Sequence, residues 1–131
     1  MRADEYCASA EAIQATIDID ADTLNLKSKG KWITAYIEFP EGYDVLDIEV
    51  SEILLNSSIS AEEKPASIGD YDNDGILDLM VKFDRQDLID LLKNIGIKDK
   101  DIVKLTVVGN LLDGISFEGS DTITVNSRGN N

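Results

Sequence analysis

Histidine is absent from this 131-residue chain, and cysteine (1), tryptophan (1) and proline (2) are nearly so. Without histidine the commonest general base, proton shuttle and zinc ligand is missing, and no Gly-x-Ser-x-Gly or phosphate-cradling glycine loop compensates. The chain is therefore expected not to be an enzyme. The single thiol, Cys7, permits no internal disulfide and reads as an incidental residue of a tail. Positive charge is scarce too: 12 Lys and Arg stand against 26 Asp and Glu, a net charge of −14. A phosphate backbone needs clustered basic residues and an anionic bilayer attracts them, so nucleic acid and membrane surfaces are poor partners. Cations, basic proteins and neutral ligands are the favoured ones. No run approaches the ~20 apolar residues of a membrane span, and "MRADEYCASAEA" lacks the apolar centre of a signal peptide. For a secreted parent, the chain would begin after its signal, with Met1 an expression start.

What is present suits one domain with a real core: 43% hydrophobic residues against 29% charged. Residues 1–13 read as a linker or tail, 14–126 as the domain, and 127–131, from the polar "NSRGNN" end, as a disordered linker. Within the domain the dominant period is two. "ATIDID" sets Ile17 and Ile19 on one face. "KWITAYIEF" sets Ile33, Ala35, Ile37 and Phe39 against Trp32, Thr34, Tyr36 and Glu38. Pro40 to Tyr43 break that strand, and "VLDIEVSEILL" predicts another, ending at Asn56, Ser57 and Ser58. "ILDLMVKF" predicts a strand with Leu77, Leu79, Val81 and Phe83 facing one way.

The period then changes. Asp84 as N-cap, Leu88, Leu91, Leu92 and Ile95 at helical spacing and Gly96 at the end predict a helix over 85–94. "IVKLTVVG" and "ITV" predict closing strands, with a turn near Asp113-Gly114. Six or seven short strands and one crossing helix imply an antiparallel β-sandwich of the immunoglobulin-like type.

The most specific stretch is "DYDNDGILD", residues 70–78. Asp70, Asp72 and Asp74 hold alternate positions, Gly75 stands sixth where the chain must bend, the carbonyl of Ile76 is seventh, and Asp78 is ninth. Such spacing lets a short turn offer several of the six to eight oxygens that Ca²⁺ takes. Like charges so crowded repel unless a cation neutralises them, and Leu77 is expected to anchor the turn in the core. Position twelve, where an EF-hand carries a bidentate Glu, is Val81, and a strand pattern follows instead of a helix. The remaining oxygens would come from water or from Glu62, Glu63 or Asp84.

"GDYDNDGILDLMVKF" resembles the calcium loops of FG-GAP propeller blades and, in its first half, of dockerins. The chain has one such loop, whereas those folds need several or a pair. The wider pattern, "TLNLKSKGKWITAYIEFPEGYDVLDIEVSEILLN" followed by "IGDYDNDGILDLMVKFDR", resembles calcium-binding immunoglobulin-like β-sandwich modules of large secreted and cell-surface bacterial and archaeal proteins. That resemblance covers residues 17–125. It implies an extracellular or cell-surface accessory module without catalytic role, whose partners are neighbouring modules or another surface protein.

A rival expectation is carbohydrate binding. Trp32 and Tyr36 lie four apart on one strand, opposite Ile33 and Ile37, and could form a stacking platform for a polysaccharide. Packing over a core edge or beneath the helix is the plainer reading of the same rings. Asn56-Ser57-Ser58 also fits the short N-glycosylation pattern.

Overall fold

The computed structural model describes residues 12–20, 22–27, 30–70 and 75–126. Ten strands and one helix follow in order: β1 (Ile13–Gln14), β2 (Thr16–Asp20), β3 (Thr23–Asn25), β4 (Trp32–Glu38), β5 (Leu54–Leu55), β6 (Ile59–Ser60), β7 (Glu62–Gly69), β8 (Asp78–Asp84), α1 (Arg85–Asn94), β9 (Ile102–Asn110) and β10 (Ser116–Asn126). They form two open sheets packed together, a sandwich-like arrangement. One sheet has the order β1-β10-β9-β5-β6 with β3 also on β10, and the other has β2-β4-β8-β7.

Alternation explains the packing. Ile17, Ile19, Ile33, Ala35, Ile37, Leu79, Val81 and Phe83 of the four-stranded sheet are buried, as are Leu24, Val103, Leu105, Val107, Phe117, Ile123 and Val125 of the other. Two inner faces of β-branched and aromatic side chains thus share one core, the arrangement that period-two strands favour. Phe39 and Phe117 join the layers edge to face, ring centroids 5.3 Å apart. Gly109 makes room for this, since a Cβ there would lie 2.7 Å from the Phe117 ring.

The chain passes from one sheet to the other at Ala15, between β1 and β2, where its backbone runs hard against β10. A Cβ on Gly119 would sit 2.4 Å from the Ala15 carbonyl oxygen. At the same seam the outward N–H of edge strand β2 is answered across the sheets: Ile19 N donates to Asp121 Oδ2 at 2.8 Å. On the opposite edge, β7 carries Pro65 and its register on β8 shifts between Glu62 and Ser67. A residue without an N–H is confined to such edges and irregularities.

The helix matches its sequence signals. Asp84 Oδ1 accepts from Asp87 N at 3.0 Å. At the other end Gly96, at φ 81°, lets Gly96 N reach Lys93 O and Ile97 N reach Leu92 O, both at 3.1 Å. These are the two bonds of a Schellman ending. Leu88, Ile89 and Leu92 are buried, closing one end of the sandwich, but Ile95 is 65% exposed. It is the C-cap, with φ −90° and ψ 5°, so helical spacing no longer governs where it points; Ile89, next to Leu88, widens the buried stripe in its place.

Other expectations fail as well. The sheets are not wholly antiparallel, since β1 and β3 both run parallel to β10. "VLDIEVSEILL" is not one strand: Val45–Asp47 and Val50–Glu52 are single 3₁₀ turns, Ile48 makes an isolated bridge to Leu111, and only Leu54–Leu55 forms a strand. With three residues per turn, Val45 and Ile48 fall on one side and both are buried. Asp44 starts the first turn, its Oδ1 accepting from Leu46 N at 2.9 Å. Leu77 is not a core anchor either, being 46% exposed. The strand begins at Asp78, and before it Gly75 at φ 85° turns the chain, so Leu77 precedes the alternation. The last strand is longer than "ITV", because the polar run 118–122 pairs along β9 and its side chains need no core.

Candidate metal centre

The acidic turn joins β7 to β8 at the end of the sandwich away from the helix. Asp72 and Asp74 lie outside the described residues, as do Cys7 and the terminal segments 1–11 and 127–131. The frame that would hold the two aspartates is described. Asp70 Oδ2 accepts from Gly75 N at 2.9 Å, so the first position of the turn is tied to the sixth. Gly75 has open space around it and needs only its positive φ, which side chains adopt at a cost of ~1–2 kcal/mol.

Asp78 shares the outward parity of Met80 and Lys82, yet it is 3% exposed, the one buried polar or charged residue among those described. A carboxylate is withdrawn from water only where something compensates it. Its register neighbours are Glu38 on β4 and Gly69 on β7. Directly opposed side chains on one sheet face stand ~4.5–5.5 Å apart at Cβ, and like charges so placed destabilise. Glu38 therefore brings one further carboxylate to the base of the turn. Sequence reasoning missed it because register, not spacing along one strand, makes Glu38 and Asp78 neighbours.

The structure separates the other suggested ligands from the turn. Glu62 lies opposite Lys82, four residues up β8 from Asp78, or ~13 Å at strand rise. Asp84 lies at the far end of β8 and caps the helix. The side chain of Glu63 is outside the described set. Ile76 is exposed, one residue after Gly75. Among the described residues no group of three or more carboxylates is close enough to hold an ion. Asp70, Asp78 and Glu38 fit a hard cation in kind, being oxygen donors and anionic, but they do not by themselves form a site.

The aromatic pair takes another surface. Trp32, Thr34, Tyr36 and Glu38 line the outer face of β4, half-buried, so neither ring packs into the core between the sheets. Lys31 Nζ lies 4.8 Å from the centre of the Trp32 ring, a cation–π contact that occupies one of its faces. Lys82 Nζ donates to Thr34 Oγ1 at 3.1 Å between the two aromatics. At the glycosylation pattern, Asn56 Oδ1 accepts from Thr106 N and Asn56 N donates to Thr106 O, both at 2.7 Å, so Asn56 extends the β5–β9 ladder.

Electrostatic strain shows at Asp18 on β2. Partial loss of surrounding water raises its pKa above the ordinary aspartate range, and the carboxylates of Asp121, Asp22, Asp20 and Asp78 add to the rise. Among the described residues no helix is long and apolar enough to cross a membrane. Comparison with family models, curated proteins and solved structures gave no match to this chain.

Proposed function

We propose that the chain is a non-catalytic, calcium-stabilised module of immunoglobulin-like type, belonging to a larger secreted or cell-surface prokaryotic protein and serving there as a spacer, adhesion or interaction domain. The observation that carries this reading is the turn frame: Asp70 tied to Gly75, with Asp78 buried at its base. Asp70, Asp72, Asp74 and Asp78 would hold the ion through carboxylates and Ile76 through its carbonyl, with Glu38 at hand. A bound calcium supplies compensating charge and oxygen coordination. The protein's part is to fix the spacing of the oxygens and the sharp bend at Gly75. A ligand that binds only the folded state adds ~2.7 kcal/mol at a hundred times its Kd, a sizeable share of the ~5–15 kcal/mol that holds a domain together. A site with Kd ~10⁻⁴ M would be filled at the millimolar calcium common outside cells.

Thermal melting in calcium and in chelator tests this. Calcium is expected to raise Tm by on the order of 10 °C, and Asp72→Ala or Asp74→Ala to abolish the difference. Superimposable melting curves in the two conditions would remove the site.

The second reading is a carbohydrate-binding module with a structural calcium. It is favoured by Trp32 and Tyr36 sharing one outer face and opposed by Lys31 over the Trp32 ring. Calorimetric titration with polysaccharides separates the two, since binding lost in Tyr36→Ala would select it.

A further inference from the structure

Half of the large hydrophobics exposed among the described residues lie on two connections at the end of the sandwich away from the helix: Tyr43 and Leu46 after β4, Leu112 and Ile115 between β9 and β10. Local geometry puts them outside. In the 3₁₀ turn Val45–Asp47, Val45 and Ile48 take the inner side, which leaves Leu46 and Asp47 facing out. Leu111 is buried, and the turn that follows it exposes Leu112 and Asp113. Each connection thus presents a leucine beside an aspartate.

The two pairs are held against each other. Leu112 N donates to Asp47 O at 2.8 Å, Glu49 N donates to Asn110 O at 2.9 Å, and Ile48 bridges to Leu111. Asp44 Oδ1 accepts from Leu46 N at 2.9 Å and Asp113 Oδ1 from Ile115 N at 3.1 Å, so both carboxylates are fixed in direction while each keeps a second oxygen. Asp44, Asp47 and Asp113, with Tyr43 and Ile115, line a groove of about 490 Å³ between the connections, and all five are exposed. The surrounding sequence supplies them no cation: 38–53 and 105–118 carry six and two Asp or Glu and no Lys or Arg. Acidity is not so unrelieved everywhere, since the helix and its exit, 84–104, balance five Asp with five Lys or Arg.

We propose that this groove receives an extended, basic segment of another protein, one in which Lys or Arg alternates with aliphatic residues. The cationic head meets Asp47 and Asp113, its aliphatic stem lies along Tyr43, and the neighbouring aliphatic residues cover Leu46 and Leu112. A neutral ligand would leave three aspartates unanswered. A small diamine would answer them and leave the leucines bare, and a second copy of the chain, at −14, would bring repulsion with it. The inference names a partner for the interaction role proposed above and rests on that role, not on the ion: no residue of the 70–78 turn lines the groove. Its failure would leave the melting comparison in calcium and chelator untouched.

Fluorescence anisotropy of a labelled eight-residue peptide alternating lysine and leucine, titrated with the whole chain at physiological salt, decides it. Binding is expected to saturate at one peptide per chain. Asp47→Asn with Asp113→Asn, which keeps an oxygen for the Ile115 amide, should weaken it at least about tenfold, and so should Leu46→Ser with Leu112→Ser. Asp90→Asn with Asp99→Asn removes the same charge at the helix end and should change it less than about twofold, because screening confines exposed charges to short range. All six positions are exposed, and unchanged circular dichroism and melting establish folding. Absence of saturation at millimolar chain overturns the proposal. Equal weakening by the two aspartate pairs would reduce the attraction to net charge, and equal binding of a peptide with serine for leucine would remove its apolar half; either overturns it. Displacement of the peptide by equimolar putrescine, or by self-association of the chain in sedimentation, would make the occupant a small amine or a second copy and overturns it too.

Discussion

Strand β8 is bounded by two turns that begin alike and end differently. At its far end Asp84 receives the amide of Asp87 and opens a helix; at its near end Asp70 receives the amide of Gly75 and closes the acidic turn. Each carboxylate satisfies a backbone N–H that would otherwise go without a partner in the chain. The helical turn is then complete, with Leu88, Ile89 and Leu92 delivered to the core and Gly96 ending the element. The acidic turn instead carries Asp72, Asp74 and Asp78 in a stretch of sequence with no basic residue. The same local device thus serves two ends: one leads into a packed helix, the other into a turn rich in carboxylates.

The largest effect that sharpens this contrast is Leu92→Ala. Leu92 is fully buried beneath the helix, and truncating such a side chain costs ~2–5 kcal/mol through lost burial and the cavity left behind. The loss should be equal in calcium and in chelator, measured by denaturant unfolding. A loss that depended on calcium would mean that the helix end and the acidic turn are coupled, and the comparison would break.

A paired substitution comes next. Gly75 and Gly96 both adopt positive φ, 85° and 81°, and a Cβ at either would meet nothing within 4 Å. Alanine at either position therefore measures backbone strain alone, ~1–2 kcal/mol. Gly96→Ala should cost the same with and without calcium. On the calcium reading Gly75→Ala should cost more in calcium, because the bend would then set the spacing of the oxygens. Equal costs in both conditions at both glycines would mean that the bend at Gly75 is not part of an ion site.

How much of this could be read beforehand depended on how local the determining physics was. The helix's bounds were legible, since Asp84, the Leu88–Leu92 spacing and Gly96 act within a few residues of where they stand, but its buried face was read wrongly at Ile89 and Ile95. The inner faces of β2 and β4 were legible because alternation is itself local. The stretch 45–55 was not: its apolar residues satisfy both a period of two and a period of three, and the bonds that choose between them, Glu49 N to Asn110 O and Leu112 N to Asp47 O, come from distant strands. The acidic turn showed its own carboxylates in sequence but hid Glu38, which register alone sets beside Asp78. Leu77 misled because strand parity was extended one residue past Gly75. The polar stretch of β10 misled for the opposite reason, since the ladder to β9 holds it without apolar alternation.

The smallest expected effect tests whether acidic crowding that no ion relieves also costs stability. Asp18 lies on the outer face of β2, facing Tyr36, away from the turn's own carboxylates apart from the distant influence of Asp78. Its pKa is raised, first by partial desolvation and then by Asp121, Asp22 and Asp20. The folded chain thus holds this proton more tightly than the unfolded chain, so the stabilising contribution is complete below the unfolded value and fades as pH rises through the folded one. Asp18→Asn, which cannot ionise, should therefore melt higher than the parent at neutral pH, by about 1–2 °C given solvent screening of an exposed group. The advantage should shrink on acidification and vanish below the ordinary aspartate range, ~4. Because the repelling neighbours are mostly outside the acidic turn, calcium should change the gap little. A gap that widened on acidification would reverse the sign of the coupling, and one that disappeared on adding calcium would move its source to the turn.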